Sequence, residues 1–445
     1  MWLSVLSLGA CWIGGACTES TLVASQLSLP HEKPEGFTPD ENDEGGQSSM
    51  GLPVESNPDP APGQEGTPAC VRYVDNRGSA PVRDGRTWES ALATVQEGID
   101  AAFQDAPCQV WVAQGTYPIP GSAPSDTLQL RPGVAVYGGF AGREVRLSER
   151  DVSGRPTILD GESRVRHVVT GCDESELNGL VITRGQAKGS DLDGNGGGMI
   201  NLDCSPKVVQ CVFRSNHADG SGGAIFNRNG SPQLERCTFM GNDAGKQGGA
   251  LGNLKASPAV RACRFDGNQA GDLGGAVYLS GGNPLFTNGL FVRNASGIQG
   301  GALASWDGAV PTLINCTFTR NKTFLSGGAL IISGNSAASV TNSIFWADTP
   351  TEFNIFPNNQ FKVSFSDVQG LGAQGTNLNQ DPLLDEADGF RLGASSPAID
   401  VGDGSQAPQF DLDGNPRVDI PSRPNAGYGA STFVDLGAFE FQGPP

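Results

Sequence analysis

Cys211-Val-Phe213-Arg-Ser-Asn216, followed by Gly222-Gly-Ala-Ile225, decides the fold, because the chain returns to it at a fixed offset. The copies are Cys237-Thr-Phe239-Met-Gly-Asn242 with Gly248-Gly-Ala-Leu251, and Cys263-Arg-Phe265-Asp-Gly-Asn268 with Gly274-Gly-Ala-Val277. Phe291-Val-Arg-Asn294 with Gly300-Gly-Ala-Leu303, and Cys316-Thr-Phe318-Thr-Arg-Asn321 with Gly327-Gly-Ala-Leu330, complete the set. The phenylalanines step by 26, 26, 26 and 27 residues, and the glycine pairs step with them. So short and strict a period means a solenoid, each repeat one coil stacked on the next.

The coils are built of strands. A helical repeat would place apolar residues at i, i+3, i+4 and i+7. Here Cys211 and Phe213 alternate with period 2, and Val208, Leu234, Val260, Phe286, Leu313 and Val340 recur once per coil. Pro206, Pro232, Pro258, Pro284 and Pro311 mark the start of one strand in every coil, where a missing N–H matters least. Twenty-six residues leave room for three short strands, which predicts an all-β, right-handed parallel β-helix with equivalent residues roughly 4.8 Å apart. The Phe, Cys and Ala columns are then interior. The Asn column (Asn216, Asn242, Asn268, Asn294, Asn321) suits a turn, since Asn tolerates the left-handed region and its amide can bond to its copy one rung away.

Composition excludes several functions. The formal charge of −19 disfavours nucleic acid as a partner. No internal run approaches the 18 or so apolar residues of a membrane span. At the N-terminus, residues 1–17 read as an export signal without a basic n-region. Leu8-Gly-Ala-Cys11 resembles a bacterial lipobox, whose cysteine is lipidated; Cys17 is an alternative acceptor, and both cysteines can also be passengers in an ordinary signal. Residues 18–69 hold eight prolines, ten acidic residues and one lysine, the composition of a disordered acidic linker. Any contact with a membrane would be through the lipid anchor alone. The repeat cysteines Cys211, Cys237, Cys263 and Cys316 have parallel Cβ vectors, poor for disulfides, and read as buried thiols. Cys70 with Cys108, and Cys172 with Cys204, are the better disulfide candidates.

The folded part, residues 70–338, opens with Cys70-Val-Arg-Tyr-Val-Asp75 and a helix expected over Trp88–Phe103, with Thr87 as N-cap and Phe103 on its inner face, covering the open end of the solenoid. Val110-Trp-Val-Ala-Gln-Gly-Thr-Tyr117 and Gly133-Val-Ala-Val-Tyr-Gly-Gly-Phe140 supply the first coils. This opening resembles bacterial proteins of the pectin-lyase-like β-helix superfamily, and the Phe-x-x-Asn with Gly-Gly-Ala repeats are similar to those of chlamydial polymorphic outer-membrane proteins. Residues 339–445 look like final coils and a cap similar to the choice-of-anchor Q domain. The motifs are Ser396-Pro-Ala-Ile-Asp400-Val-Gly, Asp411-Leu-Asp-Gly-Asn-Pro-Arg417 and Asp435-Leu-Gly-Ala-Phe-Glu440. The resemblance covers about 70–441 and implies an anchored surface protein without fixing an activity. The closing Phe441-Gln-Gly-Pro-Pro445 has no sorting signal, which moves the anchoring role to the N-terminus.

Register allows a search for a site. Val212, Thr238, Arg264, Leu290 and Thr317 point outward before or after the phenylalanines, as do Arg214, Met240, Asp266, Val292 and Thr319; none of these columns gathers carboxylates. One loop column does: Asp191, His217 and Asp243 lie five residues before a glycine pair, and Asp193 and Asp219 three before it. This column reads as a solvated loop, as a metal site in which Ca²⁺ would relieve the repulsion, or as an acid pair for hydrolysis assisted by His217. No cofactor motif accompanies it. Tyr278, Trp306 and Trp346 suggest a sugar-stacking patch. The leading expectation is an exported, lipid-anchored protein of the outer membrane or cell surface, acting without catalysis by adhesion or polysaccharide binding. The alternative is a polysaccharide lyase or glycoside hydrolase that uses the 191–243 loops.

Overall fold

The computed structural model describes residues 70–105, 108–372 and 375–443. Each repeat closes into one coil. In the coil that begins after Pro206 the strands are Lys207–Val209 (row 1), Val212–Arg214 (row 2), His217–Ala218 (row 3) and Ile225–Arg228 (row 4). Every row pairs in parallel with its copy one coil on, Phe213 opposite Phe239 and Ile225 opposite Leu251. Among the described residues the rows grow to 11, 10, 6 and 9 strands. The expected three strands per coil are therefore four. Row 3 is only two residues long, too short to show any alternation.

The interior is a set of single-residue columns. The Phe213, Phe239, Phe265, Phe291, Phe318 and Phe345 rings stack with centroids 5.3, 4.8, 4.6, 4.3 and 4.6 Å apart, all fully buried. The aliphatic column of row 1, the repeat cysteines and Ala224 with its copies are buried beside them, and those cysteines are free thiols. The Asn column forms a ladder in which each side-chain Nδ2 donates to the next Oδ1 at 2.9–3.0 Å from Asn216 to Asn321. It does not occupy the left-handed region. Ser215, Gly241, Gly267, Arg293 and Arg320 turn the chain one residue earlier, at φ from 53 to 62°. A second, unforeseen ladder runs through row 4, from Asn201 to Asn227 (2.7 Å) to Asn253 (2.8 Å). Of each glycine pair the first has positive φ, 70° at Gly222. The second has no room for a side chain: a Cβ on Gly223 would lie 2.4 Å from the carbonyl oxygens of Asp243 and Gly249.

At the N-terminal end the strand Val71–Val74 pairs with Gln109–Ala113, and α1 (Val95–Gln104) covers it with Val95, Ile99 and Ala102. The helix starts seven residues later than the sequence suggests. Thr94 is its N-cap, accepting from the Glu97 amide while the Glu97 carboxylate accepts from the Thr94 amide. Residues before it are held otherwise, with Leu92 bonded to Tyr73 and Trp88 Nε1 donating to the Glu144 carbonyl at 2.9 Å. Phe103, expected on the inner face, is instead turned outward, 45% exposed, with Arg131 over its ring, because it lies one residue round the helix from the buried Ala102.

The C-terminal motifs lie along row 2 instead of closing the solenoid end. Phe390, Leu412, Ala438 and Phe439 pack on Leu290 and Val292, and Leu392, Ile399 and Leu436 on Ile344. Leu290, Val292, Thr317 and Thr319, expected to face solvent, are buried by this segment. The turn residue between rows 1 and 2 changes with it. Gln210, Arg236 and Ala262 give way to Asn288, Asn315 and Asn342, whose side-chain amides donate to the carbonyls of Phe410, Asp435 and Asp403 at 2.7–3.0 Å.

Candidate functional site

The loop column is assembled by row 3, which sets His217 beside Asp243. His217 Nδ1 lies 2.7 Å from Asp243 Oδ2 and its Nε2 lies 3.1 Å from Asp219 Oδ1. The Gly189 amide donates to the other Asp219 oxygen at 3.0 Å. Asp193 sits 3.5 Å from Arg166, and the Asp191 carbonyl accepts from Asn195 Nδ2 within a short 3₁₀ turn. Register thus unites three of the five residues. Among the described residues, no group of three or more His, Cys, Asp or Glu side chains is arranged to hold a metal ion. An imidazole that is protonated between two carboxylates offsets their mutual repulsion.

The bond to Asp243 raises the His217 pKa above its usual value against the opposing effect of burial, with Asp219 adding to it. Burial pushes Asp219 up, but the Gly189 amide and His217 outweigh it and leave that carboxyl below the usual range. Both imidazole nitrogens are engaged by carboxylates, an arrangement that favours the protonated ring. The sign follows from the shifts. The clamp stabilises the fold between the unfolded carboxylate pKa, near 4, and the unfolded histidine pKa, near 6.5, and its histidine part is lost as pH rises through the elevated value. His217→Gln is expected to cost roughly 0.5–1 kcal/mol at pH 5.5, since the pair is half-exposed. The loss should shrink by pH 9. A cost that grew with pH in chemical denaturation would contradict the clamp.

The other sequence-derived positions are placed as follows. Cys70 and Cys108 form a disulfide with Cα atoms 4.6 Å apart. Cys172 and Cys204 are thiols here, and burial pushes the Cys204 pKa up to about 11. Cys11 and Cys17 lie outside the described residues. Tyr278 and Trp306 stand in row 4 but Trp346 in row 2, so the three share no face. His167 bonds through Nδ1 to the Gly196 carbonyl at 2.9 Å, and burial lowers its pKa.

Two concavities were not foreseen. A groove of about 400 Å³ opens between the turns of successive coils and the C-terminal segment, with Arg236, Arg261, Asn288, Gln406, Gln409 and Phe410 in its walls. Arg261 is exposed and stands opposite Glu235, which also lines the groove and pairs with Arg236. Only contacts between residues far apart in sequence create this groove, so no local signal announced it. The second is a cleft of about 590 Å³ beyond the last rung of the Asn ladder. Its signal was readable: the column step of 27 from Asn321 lands on Asp348.

Residues 178–345 match the family model described as the right handed beta helix region. The molecule is a right-handed parallel β-helix. A solved structure of a rhamnogalacturonan lyase is similar to this β-helix over 72% of the chain and 92% of its own, at 13% identity and a TM-score of 0.39. That likeness is too distant to transfer a residue or an activity. No curated protein sequence matches the chain.

Proposed function

We propose that this β-helix is an exported surface protein that binds polysaccharide by contact, without turnover, tethered through lipid on Cys11 or Cys17. The groove between the coils and the C-terminal segment carries the reading. Arginine and glutamine side chains offer forked donors and acceptors to sugar hydroxyls, and the half-exposed Phe410 offers a ring for an apolar sugar face. The occupied nitrogens of His217 weigh against hydrolysis in the 191–243 loops. In glycan-array and reducing-end assays run side by side, we expect binding with no release of reducing ends, with and without EDTA. Arg261→Ala and Phe410→Ala should each weaken binding about tenfold, as a lost ionic hydrogen bond or ring contact would. Reducing ends released by the protein and lost with His217→Ala would reverse the reading in favour of an enzyme. Palmitate labelling of Cys11→Ser and Cys17→Ser variants tests the tether.

A further inference from the structure

The two ends of the rod are finished differently. At the N-terminal end α1 covers the first coil, whereas the C-terminal motifs pack along row 2 and leave the last coil uncapped among the described residues. Row 1 ends on Gln360–Ser364 and row 4 on Phe353–Ile355, and neither has a strand on its outer side among the described residues. Thr376 and Asn377 bond to the Phe365 and Ser366 amides and the Val363 carbonyl, which covers the row 2 side of this edge alone. The interior columns run out here too. Leu330, Ile332, Ala338 and Val340 are buried, but the residues opposite them one coil on, Phe353, Ile355, Phe361 and Val363, are only partly covered. Phe356 and Leu371 are each 37% exposed on this coil, and the 590 Å³ cleft, walled by Pro350, Phe353 and Val368, hollows it.

Charge singles out the occupant. The chain carries −19, yet the three acids within residues 347–372 (Asp348, Glu352 and Asp367) are all buried. The single base of that stretch, Lys362, is exposed between two interior-column residues and so points to the outer face of row 1. Asp381 is exposed, but in the segment that leaves along row 2. Two copies of so acidic a chain repel across most of their surface; at this coil apolar surface can meet apolar surface without burying an exposed acid of either. The cap at the N-terminal end blocks a head-to-tail stack, which would need the edge of the first coil. A two-fold pairing of last coils uses one edge from both copies and closes after two. It also sets the row 1 edge antiparallel to its own copy, so that one sheet can extend the other. We propose that the uncapped last coil is a self-association surface, on which a second copy of this chain docks end to end about a two-fold axis. Phe356 and Leu371 are its apolar anchors, and the cleft is the hollow that receives an anchor from the other copy. This surface shares no lining residue with the groove at Arg261, so dimer formation and glycan binding are separate properties.

Sedimentation velocity tests it on the full chain carrying Cys11→Ser and Cys17→Ser, so that no lipid adds association of its own. We expect a mass twice the 46.2 kDa of one chain, with a Kd in the micromolar range or below. Leu371→Asp and Phe356→Asp should each weaken the dimer about tenfold or more, since each removes an apolar anchor and adds a like charge. Val82→Asp, at the capped end, should leave the mass unchanged. Raising the salt should hold or tighten the dimer, because it screens the repulsion between two acidic chains. The thermal midpoints of the two dissociated variants should match that of wild type diluted to monomer. If they fall below it, cross-linking of the unsubstituted chain decides. On a mixture of light-isotope and heavy-isotope chains, an amine cross-linker should join Lys362 of one copy to Lys362 of the other. A monomer at every concentration, a dimer unmoved by both substitutions, or growth beyond a dimer overturns the proposal. So does a dimer lost to Val82→Asp, one loosened by salt, or cross-links between copies through Lys188 or Lys246 in place of Lys362.

Discussion

Phe291→Ala is expected to destabilise the solenoid by about 3–5 kcal/mol, the range for deleting a fully buried aromatic ring. Its ring is stacked between Phe265 at 4.6 Å and Phe318 at 4.3 Å, and meets Phe286 edge-on at 6.0 Å. The neighbours cannot close the gap, because parallel pairing of row 2 fixes Phe265 opposite Phe291 and Phe291 opposite Phe318. In a stacked array each coil contacts only its neighbours, so one void weakens two interfaces at once. Chemical denaturation should show a lower midpoint or a split transition, and Phe291→Leu should recover roughly half the loss. A cost below about 1 kcal/mol would mean that the stack relaxes and the columns are not rigid.

Asn268→Ala should cost about 2–4 kcal/mol, although it removes no apolar surface to speak of. Asn268 Oδ1 accepts from the Asn242 amide at 3.1 Å and from Asn242 Nδ2 at 3.0 Å. Its Nδ2 donates to the Phe239 carbonyl at 2.9 Å and to Asn294 Oδ1 at 3.0 Å. Truncation orphans the buried Asn242 amide, and an unmade bond in a dry interior costs more than a made bond contributes. Asn268→Asp should be at least as damaging, because a carboxylate cannot donate to Phe239 or Asn294. The last rung, Asp348, has only to accept from Asn321, which its Oδ1 does. If Asn268→Ala unfolded within about 0.5 kcal/mol of wild type, water must reach the ladder.

Much of the rod was legible because a column repeats its own evidence. Phe213, Cys211, Asn216 and Gly222 each recur at the offset that later proves to be the pairing register. What failed had no period. The start of α1 turned on Thr94 and Glu97 outcompeting an equally plausible cap at Thr87. The packing of the C-terminal segment on row 2 was not read from the sequence, because its contacts, such as Asn315 with the Asp435 carbonyl, span 120 residues. Two signs of it stood in the sequence: the change from Gln210, Arg236 and Ala262 to Asn288, Asn315 and Asn342, and the apolar pair Leu290 and Val292 on an outward face. At the candidate site, stacking foretold that His217, Asp219 and Asp243 would meet. It could not say that both imidazole nitrogens would be engaged.

The C-terminal segment grips a fixed span of coils, from Arg264, which pairs with Asp413, to Asn342, which binds Asp403. It acts as a splint of set length. Coils upstream of Glu235, where the groove begins, answer only to their neighbours, and the ladder's one-way donor order lets an inserted copy join without altering either end. Length is therefore a free variable on one side of the splint and a fixed one on the other. Duplicating a single 26-residue unit there would push the gripped end outward by about 4.8 Å while leaving the groove and the cleft as they are.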